Sequence, residues 1–408
     1  MNTPLGAVVF AHDHLFYQAA DGTLFARGGQ FSAASFSRYL EQCSELIVAA
    51  RSASLAPFED RTQLSPSNRP GLTFLPIPTL AGLGKRWSNG GAAREALDTA
   101  LQRADLLIAR LPSRIGLLAI DVATRLGKPW VVECVGCAWD AHVNHTAVQA
   151  RLYAPLARRQ QRTAIANAPV VNYVTHQFLQ RRYPTRGVTV ACSDVEIEVG
   201  GVVDVLQARQ QRLQTVGDER PLRFGLIGSF THAHKGIDVA LRAFHTAQTR
   251  LPSFEFHVLG PGDPSDCMQV ASRLGLGDAF KPCAALPRGP AVQAWLDDVD
   301  VYLQPSRYEA MPRALIEAMS RACPALASDT GGIAELLPAS CLHPAGQHQH
   351  LAQQLIAAAD SAWQDEHARR NIETAQRFDR AVLQEQRQVF WRAVHDLVSR
   401  RVAVAHAP

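Results

Sequence analysis

The chain has 408 residues, of which 47% are hydrophobic and 19% charged, and a formal net charge of +4 at pH 7. This composition excludes a disordered chain, and the length predicts two domains of roughly 200 residues each. The weak positive charge suits small anionic ligands or an anionic membrane surface but does not indicate nucleic-acid binding. With no apolar run of membrane-spanning length and no signal peptide at its start, we expect a cytoplasmic protein.

The first half of the chain alternates short apolar runs with helical patterns. A hairpin is predicted around Asp21-Gly22, and residues 51–70, rich in Ser, Pro and charge, are predicted to form a surface loop. Predicted strands are 6–10, 46–50, 74–77, 105–109, 130–134 and 170–174, and predicted helices are 32–43, 92–104, 115–126 and 151–167. This alternation favours a parallel sheet covered by helices.

The helix predicted at 151–167 is amphipathic and basic. Its arginines, with three that follow it, are Arg151, Arg158, Arg159, Arg162, Arg181, Arg182 and Arg186. Such a surface either binds anionic lipid or is simply a solvated helix side, and the sequence leaves both interpretations open.

Eight cysteines are scattered along the chain, and Cys134-Val135-Gly136-Cys137 is a single CxxC without a second pair. This spacing does not fit a structural metal site, so we expect reduced, mostly buried thiols.

The second half repeats the strand–loop–helix pattern. Strands are predicted at 222–227, 254–259, 280–283, 301–303 and 325–327, and helices at 235–245, 269–274, 291–297, 312–321, 333–337, 350–360, 365–378 and 381–402. The wiring is typical of a nucleotide-binding α/β sheet.

Residues 301–338 concentrate the candidate chemistry. Glu309 lies in a loop before Pro312, whereas Glu317 lies inside the helix that follows, so both can face the crevice at the end of the preceding strand. A helical carboxylate there can accept hydrogen bonds from a ribose diol. The positive end of the helix can receive a diphosphate through the amides of Met311, Arg313 and Ala314.

A family resemblance follows from this stretch. The residues that carry it are Pro305-Ser306, Glu309, Glu317-Ala318-Met319, Pro324 and Gly331-Gly332-Ile333-Ala334-Glu335. The pattern resembles the retaining nucleotide-sugar glycosyltransferases of family 4. Two departures, Ala310 where many members carry Gly and Ala322-Cys323 where a Gly usually precedes Pro, remove no functional side chain.

The resemblance implies an α/β protein with the GT-B fold, in which two Rossmann-like, doubly wound domains face each other across a cleft. It implies an acceptor-side domain at 1–199, a nucleotide-sugar-binding domain at 200–378, and a C-terminal helix at 379–408 that crosses back to the first domain.

The resemblance also assigns roles in the second domain. Lys235 matches the lysine that binds the donor diphosphate, and Gly228 lets its loop approach the phosphates. His232 and His234 stand where members commonly carry an Arg. The transferred sugar is expected at Glu309, beside Ala310, and the ribose at Glu317.

In the first domain the resemblance is only architectural. Gly28 and Gly29 match a Gly-Gly loop that approaches the donor phosphates. Many members present a His to the donor sugar after the strand at 130–134, and His142 and His145 are candidates by proximity. Arg110 and Glu133 are alternatives for contact with the transferred sugar.

We therefore predict a retaining, metal-independent hexosyltransferase that moves a sugar from a UDP- or GDP-sugar to a saccharide or lipid-linked saccharide. Exopolysaccharide or other cell-surface glycan synthesis at the inner face of the membrane, in peripheral contact with anionic lipid, is the expected role. The alternatives are a sugar-nucleotide 2-epimerase on the same fold and a non-catalytic nucleotide-sugar-binding partner.

Overall fold

The computed structural model describes residues 4–27, 31–55, 64–80, 82–145, 147–215 and 220–405. Within these ranges the chain forms one sheet of nine strands and a second sheet of six, both covered by helices. The predicted α/β class is confirmed, and all strand pairs of the second sheet are parallel.

The first sheet is built from the N-terminal half. Its strands are β1 (Leu5–Gln18), β2 (Leu24–Arg27), β3 (Cys43–Ser54), β4 (Leu64–Pro66), β5 (Leu72–Pro76), β6 (Leu106–Leu111), β7 (Trp130–Cys134), β8 (Val170–Tyr173) and β9 (Val188–Ala191). Its helices are α1 (Ala33–Leu40), α2 (Leu83–Arg103), α3 (Arg114–Arg125), α4 (Ala138–Val143), α5 (Val148–Asn167) and α6 (Phe178–Arg182). The strand order is β4-β2-β1-β6-β7-β8-β9, with β3 paired to β1 and β5 to β3.

Two N-terminal strands are longer than predicted. The predicted hairpin exists, but its first arm is the continuation of β1, which pairs with β2 from Phe16 to Gln18. β3 pairs with this continuation beyond a register shift between Ala11 and Leu15, so it runs into the segment predicted as loop. Such pairing depends on a distant strand, and local composition does not report it.

The second sheet is built from the C-terminal half in the order β12-β11-β10-β13-β14-β15. Its strands are β10 (Leu222–Ile227), β11 (Phe254–Leu259), β12 (Phe280–Cys283), β13 (Val301–Gln304), β14 (Ala325–Ser328) and β15 (Leu342–His343). Its helices are α7 (Val202–Leu213), α8 (Ile237–Ala247), α9 (Ser265–Arg273), α10 (Pro290–Asp297), α11 (Arg313–Ser320), α12 (His348–Ala357), α13 (Ser361–Ala375) and α14 (Arg380–Ala405).

The prediction of a helix at 333–337 is wrong. The structure has only a single 3-10 turn at Ile333–Glu335. Pro338 explains the difference, since a residue before proline is disfavoured in the α conformation and the chain cannot continue helically through it.

The last helix, α14, returns to the first sheet. Its Leu383, Phe390 and Trp391 are buried in the same apolar cluster as the inner face of that sheet, and the Trp391 ring meets Tyr39 edge-on at 6.4 Å. The two segments that join the sheets run side by side, with the Ile197 amide donating to the Phe378 carbonyl at 3.1 Å. The domain limits at residues 199 and 378 stay predictions. No helix in the described part of the chain is long and apolar enough to cross a bilayer.

The Glu335 carboxylate also connects the two halves. Glu335, at the end of the 3-10 turn, accepts hydrogen bonds from the backbone amides of His176, Gln177 and Phe178 at 2.6, 3.0 and 2.7 Å. These amides open α6, whose first N–H groups have no partner within the helix. Glu335 therefore caps a helix that belongs to the other sheet.

The turn before Glu335 packs directly against the Glu309 loop. Gly331 has a φ of +60°, and a Cβ built on it would lie 1.9 Å from the Glu309 carbonyl oxygen. The Gly332 amide donates to the Ala310 carbonyl at 2.8 Å. A Cβ on Gly332 would also lie 3.0 Å from Cγ2 of Thr175, in the first half of the chain. The contact between the two halves is thus transmitted to the loop that carries Glu309.

Replacing Glu335 should weaken the contact between the halves. Because three charge-assisted hydrogen bonds are lost, we expect Glu335→Ala to lower the free energy of unfolding by about 1–3 kcal/mol and Glu335→Gln to lower it less. Thermal unfolding checks the prediction. The control is Glu373→Ala, an exposed glutamate on α13, which should change stability by less than about 0.5 kcal/mol. Equal effects of Glu335→Ala and Glu373→Ala would show that the cap contributes nothing.

Candidate active site

The chemistry-bearing residues of the second half meet where β10 and β13 end. These strands are parallel neighbours, and their carboxyl ends therefore lie at the same edge of the sheet. The loop after β10 carries Lys235, and the loop after β13 carries Glu309. Although the two residues are 74 positions apart, their side chains form an ion pair with Nζ 2.6 Å from Oε1.

The Glu309 carboxylate is held by three donors. Lys235 Nζ, Ser306 Oγ and Gln304 Nε2 donate to Oε1 at 2.6, 2.9 and 3.0 Å. All three bonds converge on one oxygen, and among the described residues no hydrogen bond to Oε2 is present. Oε2 is therefore the atom of this carboxylate that can accept a hydrogen bond from a ligand hydroxyl.

A buried polar relay supports these donors. The Ile227 amide at the end of β10 donates to the Tyr302 hydroxyl at 3.3 Å, which donates to Gln304 Oε1 at 3.0 Å. Gln304 Nε2 also donates to Ser306 Oγ at 2.7 Å. Sequence analysis missed this relay. The available signal was the alternation Tyr302, Gln304, Ser306, which places three polar groups on one face of an otherwise apolar strand.

Close backbone approach sets the position of Lys235. A Cβ on Gly228 would lie 2.8 Å from Lys235 Cγ, so a side chain there would displace the lysine. Gly236 has a φ of +72°, and its Cβ would lie 2.0 Å from the Pro305 carbonyl oxygen. Glycine at 236 lets the loops after β10 and β13 touch, and glycine at 228 leaves room for the Lys235 side chain within its own loop.

An ion pair beside the site fixes the loop before Lys235. The Arg307 guanidinium bonds both oxygens of Asp238 at 3.0 and 2.8 Å and also the Ala233 carbonyl. Its role is therefore to hold this loop. The ring of the exposed His232 lies 6.1 Å from that of His234. Burial and the neighbouring Lys235 hold the pKa of His234 below its usual value, so at neutral pH His234 does not supply the second cation.

The helix α11 presents its N-terminus to the same edge. It begins at Arg313, with Pro312 as its N-cap in an extended conformation, and its first amides, including that of Ala314, lack intrahelical partners. Met311, just before it, is buried. These unpaired N–H groups and the positive end of the dipole form an anion-binding geometry.

Glu317 lies one turn inside α11, near two arginines. Burial raises the pKa of Glu317, and Arg313 and Arg288 partly oppose this. No hydrogen bond of the Arg288 side chain to another described residue is present. A carboxylate that is partly buried and lies near two guanidinium groups is well suited to accept hydrogen bonds from a vicinal diol.

A second network lies at the carboxyl ends of β6 and β7. Arg110 bridges Glu133 at 2.8 Å and Asp194 at 2.5 Å, and the Tyr39 hydroxyl donates to Glu133 at 2.9 Å. Burial acts against the charge of Asp194, but Arg110 and then Arg313 outweigh it, so the pKa of Asp194 is lowered. Arg313 also donates to the Asp194 carbonyl at 3.0 Å. The network therefore reaches across to α11.

The first-domain histidines have local partners instead. His142 Nδ1 bonds the Ala138 carbonyl of its own helix at 2.7 Å, and its ring packs 5.3 Å from that of Tyr153. His145 Nδ1 accepts from the Ala147 amide at 3.0 Å. No contact of either with Lys235 or Glu309 is present in the described structure, and their roles stay predictions.

Gly28 and Gly29 lie outside the described residues. Their predicted place beside the donor phosphates is not addressed by the structure.

Asp298-Val299-Asp300 has the Asp-x-Asp pattern of metal clamps, but its second carboxylate is already occupied. Buried Asp300 bonds Arg212 at 3.0 Å, Arg220 at 2.6 Å and the Arg223 amide at 2.7 Å. These contacts join α7 to the start of β10 and β13, so the aspartate organises the core of the second half.

Comparison with known proteins shows what the second half of the chain resembles. Residues 221–361 match the family described as glycosyl transferases group 1. The matched segment runs from β10 to the start of α13 and contains Lys235, Glu309 and Glu317. The matched segment is therefore similar to glycosyltransferases, the enzyme class that the sequence predicts.

Individual relatives match different lengths of the chain. CapJ of Staphylococcus aureus is 28% identical over 238 residues, or 58% of each protein. An amylovoran biosynthesis glycosyltransferase of Erwinia amylovora, AmsK, is 31% identical over 147 residues, which are 34% of this chain and 36% of AmsK. The chain thus matches 58% of the length of CapJ and 36% of that of AmsK.

Solved structures decide the fold. HepE of Anabaena, in complex with UDP-glucose, superposes with a TM-score of 0.64 at 17% identity, covering 96% of this chain and all of HepE. The chain has the GT-B fold. At this identity the similarity concerns the architecture alone.

The ionisation of Glu317 should control nucleotide affinity. As the pH falls from 8 to 5, the carboxylate takes up a proton at a higher pH than an ordinary glutamate, because burial raises its pKa. If Glu317 accepts a hydrogen bond from the ribose, as the sequence predicts, UDP should bind about tenfold more weakly once this carboxylate is protonated. Isothermal titration calorimetry across this range measures the change.

Two controls isolate this effect from protonation of the nearby His234, which has the opposite sign. Glu317→Gln should bind UDP weakly at every pH, and 2′,3′-dideoxy-UDP should show no such pH effect with the unchanged protein. A pH profile that is the same for UDP and the dideoxy analogue would contradict the assignment.

Proposed function

We propose that this protein is a retaining glycosyltransferase of family 4 that transfers a sugar from a nucleotide-diphosphate sugar to a saccharide or lipid-linked saccharide. The observation that carries the proposal is the convergence of Lys235, Glu309 and the N-terminus of α11 at one edge of the second sheet. The three elements offer a cation, a hydroxyl acceptor and a row of amides. These match the diphosphate and sugar of such a donor.

The donor is placed by its charges. The ribose diol binds Glu317, the diphosphate binds Lys235 and the first amides of α11, and a sugar hydroxyl donates to Glu309 Oε2. The UDP-glucose bound by HepE supports a UDP-sugar as donor. Lys235 pairs with Glu309 in the structure, so a bound donor phosphate shares the Lys235 ammonium group with the Glu309 carboxylate.

The reaction exchanges one bond on one face of the sugar. The bond between the anomeric carbon and the β-phosphate oxygen breaks, and the acceptor oxygen bonds the anomeric carbon on the same face. The acceptor proton passes to the departing phosphate oxygen. Lys235 and the α11 dipole stabilise the charge that develops on the diphosphate, which is electrostatic catalysis and requires no metal.

The acceptor is a growing glycan. AmsK, a glycosyltransferase of amylovoran biosynthesis, supports a role in polysaccharide synthesis. A cytoplasmic location at the inner face of the membrane, in peripheral contact with it, belongs to the same proposal.

Thermal unfolding with UDP, GDP, ADP and TDP and their sugar conjugates, with and without EDTA, tests the donor site first. A ligand that binds the folded state at about 100 times its Kd stabilises it by about 2.7 kcal/mol. We expect UDP and a UDP-sugar each to raise the melting temperature, and we expect each shift to be the same with and without EDTA. A shift that EDTA abolishes would contradict metal independence, and no shift with any nucleotide would contradict the donor site.

Variants then test the roles of the ion pair. Lys235→Ala and Glu309→Gln should each lower transfer at least about a hundredfold, since each removes a charge that stabilises the transition state. Lys235→Ala should also abolish the melting shift caused by UDP, whereas Glu309→Gln should keep it.

Lys85→Ala, an exposed lysine of α2, is the matched control and should leave transfer unchanged. Normal transfer by either site variant would exclude its proposed role. Release of free sugar without any acceptor product would favour the epimerase alternative.

A further inference from the structure

Four large apolar side chains stand exposed on the outer side of the first half. Val148, Leu152 and Leu156 of α5 are 60, 77 and 46% exposed, and Trp87 of α2 is 92% exposed. The three α5 residues are spaced four apart and therefore form one stripe along the helix. We call these three residues, together with Trp87 of α2, the apolar stripe.

The stripe borders a groove of about 1060 Å³ between α2, α3 and α5. Its walls include the apolar Leu117, Leu118 and Trp130, and Leu156 belongs both to the groove and to the stripe. Gly90 and Gly91, one turn beyond Trp87 on α2, line the opposite wall. Trp87 is thus on the α2 face that borders this groove, opposite α5.

Arginines surround the stripe and the groove. α5 contains four arginines and no acidic residue. The groove is lined by Arg94, Arg114, Arg159 and Arg401, and the acidic residue on its wall, Asp121, is paired with Arg94 at 2.7 Å. The surface therefore combines exposed apolar groups with an excess of positive charge.

We propose that the apolar stripe and the arginines around the groove form a docking surface for an anionic phospholipid bilayer. Transfer of leucine, valine and tryptophan side chains from water into the interfacial region of a bilayer is favourable in free energy, and tryptophan is enriched there. Arginines beside them bind lipid phosphates, often in bidentate geometry. The excess of arginine on α5 selects an anionic partner.

Docking at this surface also sets the orientation of the first sheet relative to the bilayer. Arg114 both lines the groove and begins α3, where its amide donates to Asp13 at 2.7 Å beside the end of the central β1–β6 pairing. One end of the groove therefore lies at the carboxyl edge of the first sheet, the edge on which the Arg110 network lies. A bilayer at the groove would hold lipid-linked molecules close to that edge.

Vesicle co-sedimentation of the full chain tests the surface, and it does not depend on the proposed donor chemistry. We expect binding to phosphatidylcholine vesicles that contain about 30% phosphatidylglycerol, weak binding to pure phosphatidylcholine, and loss of binding as salt is raised to about 0.5 M. Equal binding to both vesicle types, or binding to neither, would overturn the proposal.

Substitutions separate the two contributions. Leu152→Glu combined with Leu156→Glu should lower the partition coefficient on anionic vesicles at least about tenfold. Arg158→Gln combined with Arg159→Gln should lower it about fivefold or more for each arginine removed. Both variants should keep the UDP-dependent melting shift, since the substituted side chains are exposed and far in sequence from the donor-site residues.

The matched control is Val203→Glu with Met268→Glu, which changes two exposed apolar residues of the second half that are 65 and 50% exposed. It should leave vesicle binding unchanged, and an equal loss in the control would overturn the proposal. A dimer in light scattering that Leu152→Glu dissociates, without vesicle binding by the unchanged protein, would instead assign the stripe to contact between two copies.

Discussion

The ion pair between Lys235 and Glu309 is the interaction on which the site depends. It joins the loops that follow two neighbouring parallel strands, and it places a cation and a carboxylate at the edge of the sheet where these strands end. In a partly buried position each charge needs the other, because an unpaired charge there is costly. The other polar groups of the second half are arranged around this pair.

The surrounding structure limits how the pair can move. Three donors hold one oxygen of Glu309, and Gly331 allows the chain behind it to pass within contact distance of its carbonyl. The same turn leads to Glu335, which caps a helix of the other half. The position of Glu309 and the relative placement of the two halves are therefore linked by a short, continuous series of backbone contacts.

Local motifs in the sequence predicted the second half well and the first half less well. Lys235, Glu309 and Glu317 were predicted from patterns that extend over a few residues. Lys235 directly precedes Gly236, Glu309 lies in the loop after β13, and Glu317 lies in α11, which follows that loop. The relay through Tyr302 and Gln304 could have been found from strand alternation. The continuation of β1 and the Arg110 network could not, because they depend on strands and loops that are distant in the chain.

The basic helix α5 shows the same limit on one element. Its arginines were visible in the sequence, but whether Leu152 and Leu156 face the core or the solvent depends on where α4 and α3 pack. Burial of Ala154, Ala157 and Ile165 on the opposite side settles the question. Exposure of an apolar stripe is a tertiary property, and periodicity alone gives two equivalent orientations.

The glycine contacts have a consequence for engineering donor preference. Gly236 and Gly260 each approach a neighbouring loop so closely that a Cβ would lie 2.0 Å from a carbonyl oxygen, that of Pro305 for Gly236 and that of Gly228 for Gly260. The loops after β10, β11 and β13 consequently behave as one interlocked unit. Exchange of a single loop with a relative would break this packing, whereas transplanting the three loops together would preserve it.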